Sequence, residues 1–271
     1  MTGPEAEKLE QFFRGFERAA KPLLLLDYDG TLAPFRVDRF KARPWAGVRE
    51  LLTQIQNQGR TRIVVVTGRP AGEIVPLLGV KPMPEVWGLH GSERLRSDGR
   101  REIERLPRTI RTRLIALGAQ LRRDAFGGLV EEKPNSIVMH WRGVSPAKAK
   151  VIETRTRSLF EPMAQLKGLT LLEFEAGLEL RAGRDKGEVV TALLKERGAR
   201  GGPRCAAYLG DDITDEAAFR AIEGRGLGVL VRRQRRDTAA EVWLRPPLEL
   251  REFLRRWLRA CQSLQLHRIP D

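Results

Sequence analysis

Cysteine is scarce in this chain of 271 residues, with only Cys205 and Cys261. Two thiols are too few for a disulfide framework, and their settings, an apolar run and a helix-like tail, fit a reducing compartment, so a cytoplasmic location is expected. The opening MTGPEAEKLEQFF lacks the basic segment and apolar stretch of a secretory leader. No aliphatic run is long enough to span a bilayer, so no membrane partner is expected and the chain should be soluble and unprocessed. Repeats, low-complexity tracts and long linkers are absent, as are a zinc-ligand pattern and an RNP-like aromatic motif. Acidic residues are outnumbered, 35 against 49 basic ones, for a formal charge of +14. That balance admits nucleic acid, an anionic membrane or a phosphorylated substrate as partner. Of the basic residues 39 are arginine, scattered along the chain as a compositional bias; the one concentrated run is Arg232-Arg233-Gln234-Arg235-Arg236. With 41% hydrophobic and 31% charged residues the chain is not disordered, and it can bury one large core or two modest ones.

Short aliphatic runs alternate with segments of helical period, the pattern of crossover units on a parallel sheet. Strands buried on both faces read as continuous apolar runs. Leu23 to Leu26, Ile63 to Val66, Val86 to Leu89, Ala206 to Leu209 and Leu227 to Val231 are the candidates. Trp45, Val48, Leu51, Leu52 and Ile55 predict one covering helix, and Val189, Ala192 and Leu193 another. Apolar stripes in both terminal segments, Leu9 to Phe16 and Leu250 to Leu258, predict helices that pack on the sheet. From about Leu106 to Glu179 the rhythm changes. Helices at Leu114 to Leu121 and Ala147 to Phe160 are each followed by two strands: Leu129 to Glu132 and Ser136 to His140, then Leu169 to Phe174 and Leu178 to Arg181. An αββαββ block inside a parallel α/β chain predicts an inserted second domain, with a hairpin turning at Asp98-Gly99 at one side of the join.

Three predicted strands end in polar residues at what would be one sheet edge, where open α/β sheets place ligands. The first runs into Asp27-Tyr28-Asp29-Gly30-Thr31, the second into Thr67-Gly68-Arg69-Pro70. A turn with a helix cap accounts for either motif alone. The third runs into Gly210-Asp211-Asp212-Ile213-Thr214-Asp215-Glu216, more carboxylates than capping requires. Such a cluster repels itself unless a cation neutralises it, and hard oxygen ligands suit Mg²⁺. Lys186, at the start of the helix before the Cys205 strand, brings an ammonium to the same edge, able to quiet carboxylates and hold a phosphate. An Asp attacks phosphorus only when the repulsion between two anions is screened, which a metal, a Lys and hydrogen-bond donors together achieve. A second Asp two residues on can protonate the leaving oxygen and then take a proton from water.

Taken in order, Asp27-x-Asp29-Gly30-Thr31, Thr67, Lys186 and Gly210-Asp211-Asp212-x-x-Asp215 resemble the four motifs of the haloacid dehalogenase superfamily. Within it the chain resembles the trehalose-6-phosphate phosphatase family over nearly its full length. Leu26 to Pro34, Thr67-Gly68-Arg69, Gly88-Leu89-His90-Gly91, Tyr208 to Phe219, Val130-Glu131-x-Lys133-Pro134-x-Ser136, His140-x-Arg142, and Glu179-Leu180-Arg181 before Asp185-Lys186-Gly187 carry the resemblance. It implies a Rossmann-like core at 1–104 and 182–271 and an αββαββ cap at 105–181. It further implies that Asp27 is nucleophile and Mg²⁺ ligand, that Asp29 is general acid/base with its backbone carbonyl on the metal, and that Asp211 is the remaining direct ligand. Asp212 and Asp215 would act directly or through water, and Thr67 and Lys186 would bind the phosphate. Substrate choice would lie with Glu131, Lys133, Glu179 and Arg181 on the cap and His90 and Gly91 on the core; His140 and the other charged strand residues fit an ordinary exposed face equally well. Ala182 departs from the family, which usually has Pro after the residue matching Arg181, so a stiffer turn is lost there.

The expected substrate is a small sugar phosphate, hydrolysed as the final step of trehalose biosynthesis, by a monomer with no specific nucleic-acid partner. Another phosphatase of the superfamily, acting on sucrose phosphate or a phosphorylated glycerate sugar, would need the same core and differ only in the cap. A receiver-type signalling domain also gathers Asp, Thr and Lys around Mg²⁺, but is shorter and carries no insert. A basic nucleic-acid-binding protein is the rival of a different class. An inactive regulatory relative is disfavoured because every catalytic position is filled.

Overall fold

The computed structural model describes residues 3–16, 19, 21–36, 38–174, 176–197 and 205–266. The chain divides into two compact units, Met1–Ile103 with Arg184–Asp271, and Glu104–Gly183. In the larger unit the strands are β1 (Leu23–Leu26), β2 (Arg62–Val66), β3 (Glu85–Gly88), β4 (Glu93–Leu95), β5 (Arg101–Ile103), β10 (Ala206–Gly210), β11 (Leu227–Val231) and β12 (Val242–Leu244). They form one sheet in the order β12-β11-β10-β1-β2-β3-β4-β5. The first six of that order run parallel, and β4 and β5 close the edge as an antiparallel hairpin.

The helices of this unit are α1 (Gly3–Phe16), α2 (Val48–Asn57), α3 (Ala71–Leu78), α6 (Lys186–Arg197), α7 (Glu216–Ile222) and α8 (Leu248–Leu266). β1 lies between β10 and β2, in register Leu24↔Ala207 and Leu24↔Ile63, and is buried on both faces, which is why it reads as four consecutive leucines. Leu24 and Leu26 join Phe13, Leu52 and Trp257 on one face; Leu23 and Leu25 join Val189, Leu193 and Phe219 on the other. Ordering four buried leucines against two layers stabilises the unit by roughly 1.5–3 kcal/mol per side chain. The terminal stripes meet as expected, with Phe16 and Trp257 ring centroids 4.9 Å apart and those of Phe13 and Phe253 5.6 Å apart.

Two details of the predicted sheet change. β3 ends at Gly88 rather than Leu89, because Leu89 and His90 both take left-handed backbone (φ 50 and 56) and turn the chain out of the sheet. β12 adds a strand that only three residues announce, and the Asp98-Gly99 hairpin extends the sheet itself.

The smaller unit holds α4 (Arg108–Leu121), β6 (Val130–Lys133), β7 (Ser136–His140), α5 (Pro146–Ala164), β8 (Leu169–Phe174) and β9 (Gly177–Ala182), the αββαββ order read from the sequence. Its antiparallel sheet runs β6-β7-β9-β8. Ile137, Met139, Leu178 and Leu180 pack against Leu114, Leu117, Leu121, Ile152 and Phe160 of the two helices. Among the described residues no helix is long and apolar enough to cross a membrane.

Candidate active site

The C-terminal ends of β1, β2 and β10 converge on the candidate residues. Asp27 follows the last leucine of β1, and its backbone N–H donates to Leu209 O (2.8 Å), which holds it beside β10. The strand then stops in a tight turn: Leu32 N and Ala33 N both donate to Tyr28 O, and Gly30 N donates to Ala33 O (2.7 Å). Gly30 has φ +81, and a Cβ there would lie 2.0 Å from Asp211 Oδ2, so only glycine lets the β10 loop bring its carboxylate against the β1 turn.

Asp27, Asp211 and Asp215 each offer a carboxylate oxygen within 4.8 Å of the others, and all three are buried. Lys186, at the first turn of α6, donates to Asp27 Oδ1 (2.8 Å) and Asp215 Oδ1 (2.7 Å). Asp215 Oδ1 also accepts from the Tyr208 hydroxyl (2.6 Å), while its Oδ2 accepts from the backbone N–H groups of Asp211 and Asp212 (3.0 and 2.9 Å). Asp215 is therefore saturated by donors, whereas Asp27 Oδ2 and Asp211 Oδ1 share only the longer contacts to the Thr31 hydroxyl (3.5 and 3.4 Å). Burial, opposed by Lys186 and reinforced by Asp215, pushes the Asp27 carboxyl up to about 7. Burial, then the charges of Asp27 and Asp215, pushes Asp211 up to about 9. Burial works against the Lys186 ammonium, but Asp215 and Asp27 outweigh it and hold the group charged. One ammonium thus faces three clustered carboxylates, and two of these resist ionising until more positive charge arrives. Hard oxygen donors short of one cation are a set that Mg²⁺ fits.

Asp29 lies elsewhere. Its carboxylate forms a bidentate ion pair with Arg69, Nε to Oδ2 at 2.7 Å and Nη2 close upon Oδ1. Arg69 also donates to Arg39 O (2.6 Å). Thr67 is buried at the end of β2, and its hydroxyl accepts from Arg69 N (3.2 Å). It does not cap α3; Pro70 holds that position. His90 is fixed on this turn by its backbone N–H, which donates to Thr67 O (2.9 Å), and its ring packs over Gly68. Gly91, at φ +113, abuts α6: a Cβ would meet Val189 Cγ2 at 2.3 Å.

In the smaller unit the register Glu131↔Val138↔Glu179 and Lys133↔Ser136↔Arg181 places all four candidate sugar readers in two neighbouring rows. Pleat alternation sets them on the face opposite Leu178 and Leu180. Lys133 Nζ stands 3.8 Å from Glu179 Oε1. His140 Nε2 is 3.1 Å from Glu131 Oε2, and its ring meets Phe174 edge-on at 5.5 Å.

Several residues in the site have no role in the sequence motifs. Tyr208 shows itself in the sequence as the one polar side chain in a buried strand. Arg69 stands two residues from Thr67. Arg232 and Arg236, which donate to the carbonyls of Asp211 and Asp212, stand out in the sequence only as part of a basic run, with no sign of that partner.

A family model described as trehalose-phosphatase matches residues 25–244. Probable trehalose-phosphate phosphatase 3 of Oryza sativa subsp. japonica is 28% identical over 279 residues, which cover 90% of this chain and 72% of that one. Trehalose-phosphate phosphatase of Mycobacterium marinum is 31% identical over 248 residues, and the chain spans 60% of its length. Among solved structures, Aspergillus fumigatus trehalose-6-phosphate phosphatase superposes with a TM-score of 0.71 at 22% identity, covering 94% of this chain and 97% of that one. Haloacid dehalogenase-like hydrolases share the fold. Matched by the family model over most of its length, this chain belongs to the trehalose-phosphatase family.

Proposed function

We propose that the chain is a Mg²⁺-dependent phosphatase that hydrolyses trehalose 6-phosphate to trehalose and phosphate, the final step of trehalose biosynthesis, through an aspartyl-phosphate on Asp27. The observation that carries this reading is the Asp27 carboxylate at the end of β1, bound by Lys186 and clustered with Asp211 and Asp215. Asp27, the backbone carbonyl of Asp29 and Asp211 would hold the ion, with Asp212 and Asp215 behind them, and when bound it supplies the positive charge that screens a nucleophilic carboxylate from a phosphoryl anion.

The chain's own groups do the rest. A carboxylate oxygen of Asp27 attacks phosphorus as the bond to the sugar oxygen breaks, and Asp29 in its acid form gives that oxygen its proton. Lys186 and the Thr67 hydroxyl bind the phosphoryl oxygens. The Asp29 carboxylate left behind pairs with Arg69 until it takes a proton from the incoming water, whose oxygen attacks phosphorus and releases inorganic phosphate and the Asp27 carboxylate. Glu131, Lys133, Glu179 and Arg181 read the disaccharide hydroxyls, with His90 and Gly91 contributing from the larger unit; carboxylates accept from hydroxyls and cationic groups donate to them.

Phosphate release from trehalose 6-phosphate, sucrose 6-phosphate, glucose 6-phosphate and an aryl phosphate, with Mg²⁺ or chelator, tests the reading in wild type and Asp27→Asn. Preference for trehalose 6-phosphate, lost with chelator and in the variant, is expected. Turnover of a different sugar phosphate overturns the substrate and leaves the chemistry, and turnover that survives chelation overturns the metal.

A further inference from the structure

The arginine-rich run at 232–236, the densest basic stretch in the chain, is largely exposed, but two of its side chains, Arg232 and Arg236, reach the acidic loop. Arg236 Nη2 donates to Asp212 O (2.7 Å), and its Nη1 donates to Glu216 Oε1 (2.5 Å) and Asp237 O (2.7 Å). Arg232 Nη1 donates to Asp211 O (3.3 Å). Glu216 is in turn held by the Thr238 hydroxyl (2.8 Å) and Ala239 N (2.8 Å), so the fork is anchored at the start of α7. Both backbone edges of the Asp211-Asp212 segment are therefore pinned: the N–H groups by Asp215, the carbonyls by the two arginines.

The segment needs pinning. Asp211 is buried within reach of two other carboxyl groups, and the loop that carries it must give up backbone freedom to keep it there. A planar guanidinium, with donors at fixed angles, can bridge a carbonyl and a carboxylate at once; a lysine ammonium on a flexible stem does not lock that geometry.

We propose that Arg236 is a positioning residue of the cation site, clamping the carbonyl of Asp212 to the carboxylate of Glu216 so that Asp211 stays against Asp27 in the ion-free protein. The proposal rests on the phosphatase reading above and adds to it the device that keeps the ligand loop assembled. It carries a sign that separates it from simple electrostatics. Removing a cation from the neighbourhood of a cation site by itself favours Mg²⁺ binding, whereas loss of a clamp weakens it.

Isothermal titration of metal-free protein with Mg²⁺ tests the proposal in wild type, R236Q, R236K and R235Q, with circular dichroism to establish folding. Supporting partners of a metal site typically affect affinity by about 10–100-fold, so R236Q is expected to bind Mg²⁺ at least about 10-fold more weakly. R236K, which keeps the charge and loses the fork, should fall between R236Q and wild type. R235Q removes a charge that pairs with Glu5 (3.5 Å) and should bind as the wild type does. Turnover of R236Q should return toward the wild-type value at high Mg²⁺, a recovery that general destabilisation would not give. Unchanged or tighter binding in R236Q overturns the proposal, and if that variant does not fold, wild-type affinity in R236K does so. A wild-type chain that binds no Mg²⁺ overturns the cation site itself, a failure visible before any variant is compared.

Discussion

The strand-end cluster of the larger unit and the edge strand of the candidate sugar-reader face in the smaller one are built to opposite specifications. Asp27, Lys186, Asp211 and Asp215 are buried and joined by hydrogen bonds of 2.7–3.0 Å, with Asp27 and Lys186 lying 159 residues apart in sequence. Glu131 and Lys133 lie on a short edge strand of a four-stranded sheet, partly exposed, with partners at 3.1 and 3.8 Å, while Glu179 and Arg181 on the inner strand are buried. Charge-assisted bonds in a dry setting hold a geometry; longer contacts at a wet surface let side chains rearrange. Under the proposed function the difference would separate two tasks, with bond breaking on the preorganised edge and discrimination among sugars on residues of the smaller unit.

The hardest test of that separation is Asp27→Asn, which should lower turnover by at least about 10³-fold in a phosphate-release assay while leaving the chain folded. Turnover within 10-fold of wild type would dissolve the contrast. Lys186→Met comes next: it leaves clustered carboxylates without their ammonium, and breaking a buried ion pair costs about 3–5 kcal/mol, to be read from urea unfolding of the metal-free protein. On the other side, Glu131→Gln and Lys133→Met should each raise KM by about 10-fold with kcat within a few-fold, since each removes one charged contact to a neutral hydroxyl. A fall in kcat matching that of Asp27→Asn would place these side chains in the bond-breaking machinery.

A separate test concerns pH. Asp27 and Asp211 ionise near 7 and 9 in the folded, ion-free chain but near the ordinary value of about 4 when unfolded. The folded chain thus retains protons that the unfolded chain has already lost. The stability they contribute is present below about pH 4 and falls as pH rises through about 7 and 9. Lys186, held charged, alters stability only above its ordinary value of about 10.4, outside this window. Melting temperature in chelator should decline across that range, and saturating Mg²⁺ should flatten the decline; a flat profile in chelator would mean that the three carboxylates are not crowded as described.

How much of this was legible follows from where each signal resides. β1, β2, β10 and β11 show in the sequence because burial on both faces leaves unbroken aliphatic runs, and the residue that ends each run marks the functional edge. The insert shows because its period changes. β12 does not, since Val242-Trp243-Leu244 is too short for any period to emerge. Leu89 was assigned to β3 because it is apolar; its left-handed backbone is set by contacts with the Thr67 turn, which no local pattern records. The Asp29–Arg69 pair bridges 40 positions and the Arg236–Asp212 contact 24, so spacing carried no trace of either. The scattered arginines read as a compositional bias, yet within the larger unit Arg69 and Arg94 pair with carboxylates and Arg232 and Arg236 donate to backbone carbonyls.

The pairing of β1 with β10 has a kinetic consequence. Leu23 lies opposite Ala206, and the whole smaller unit is inserted between them in sequence. During synthesis the first central strand emerges long before its neighbour on that side exists, whereas β6, β7, β8 and β9 are close in sequence and can zip together locally. On contact order the inserted unit is expected to form early and closure of the large sheet to be slow. Until it occurs, β1 keeps an unpaired backbone edge on its β10 side, the kind of edge that invites mispairing and aggregation.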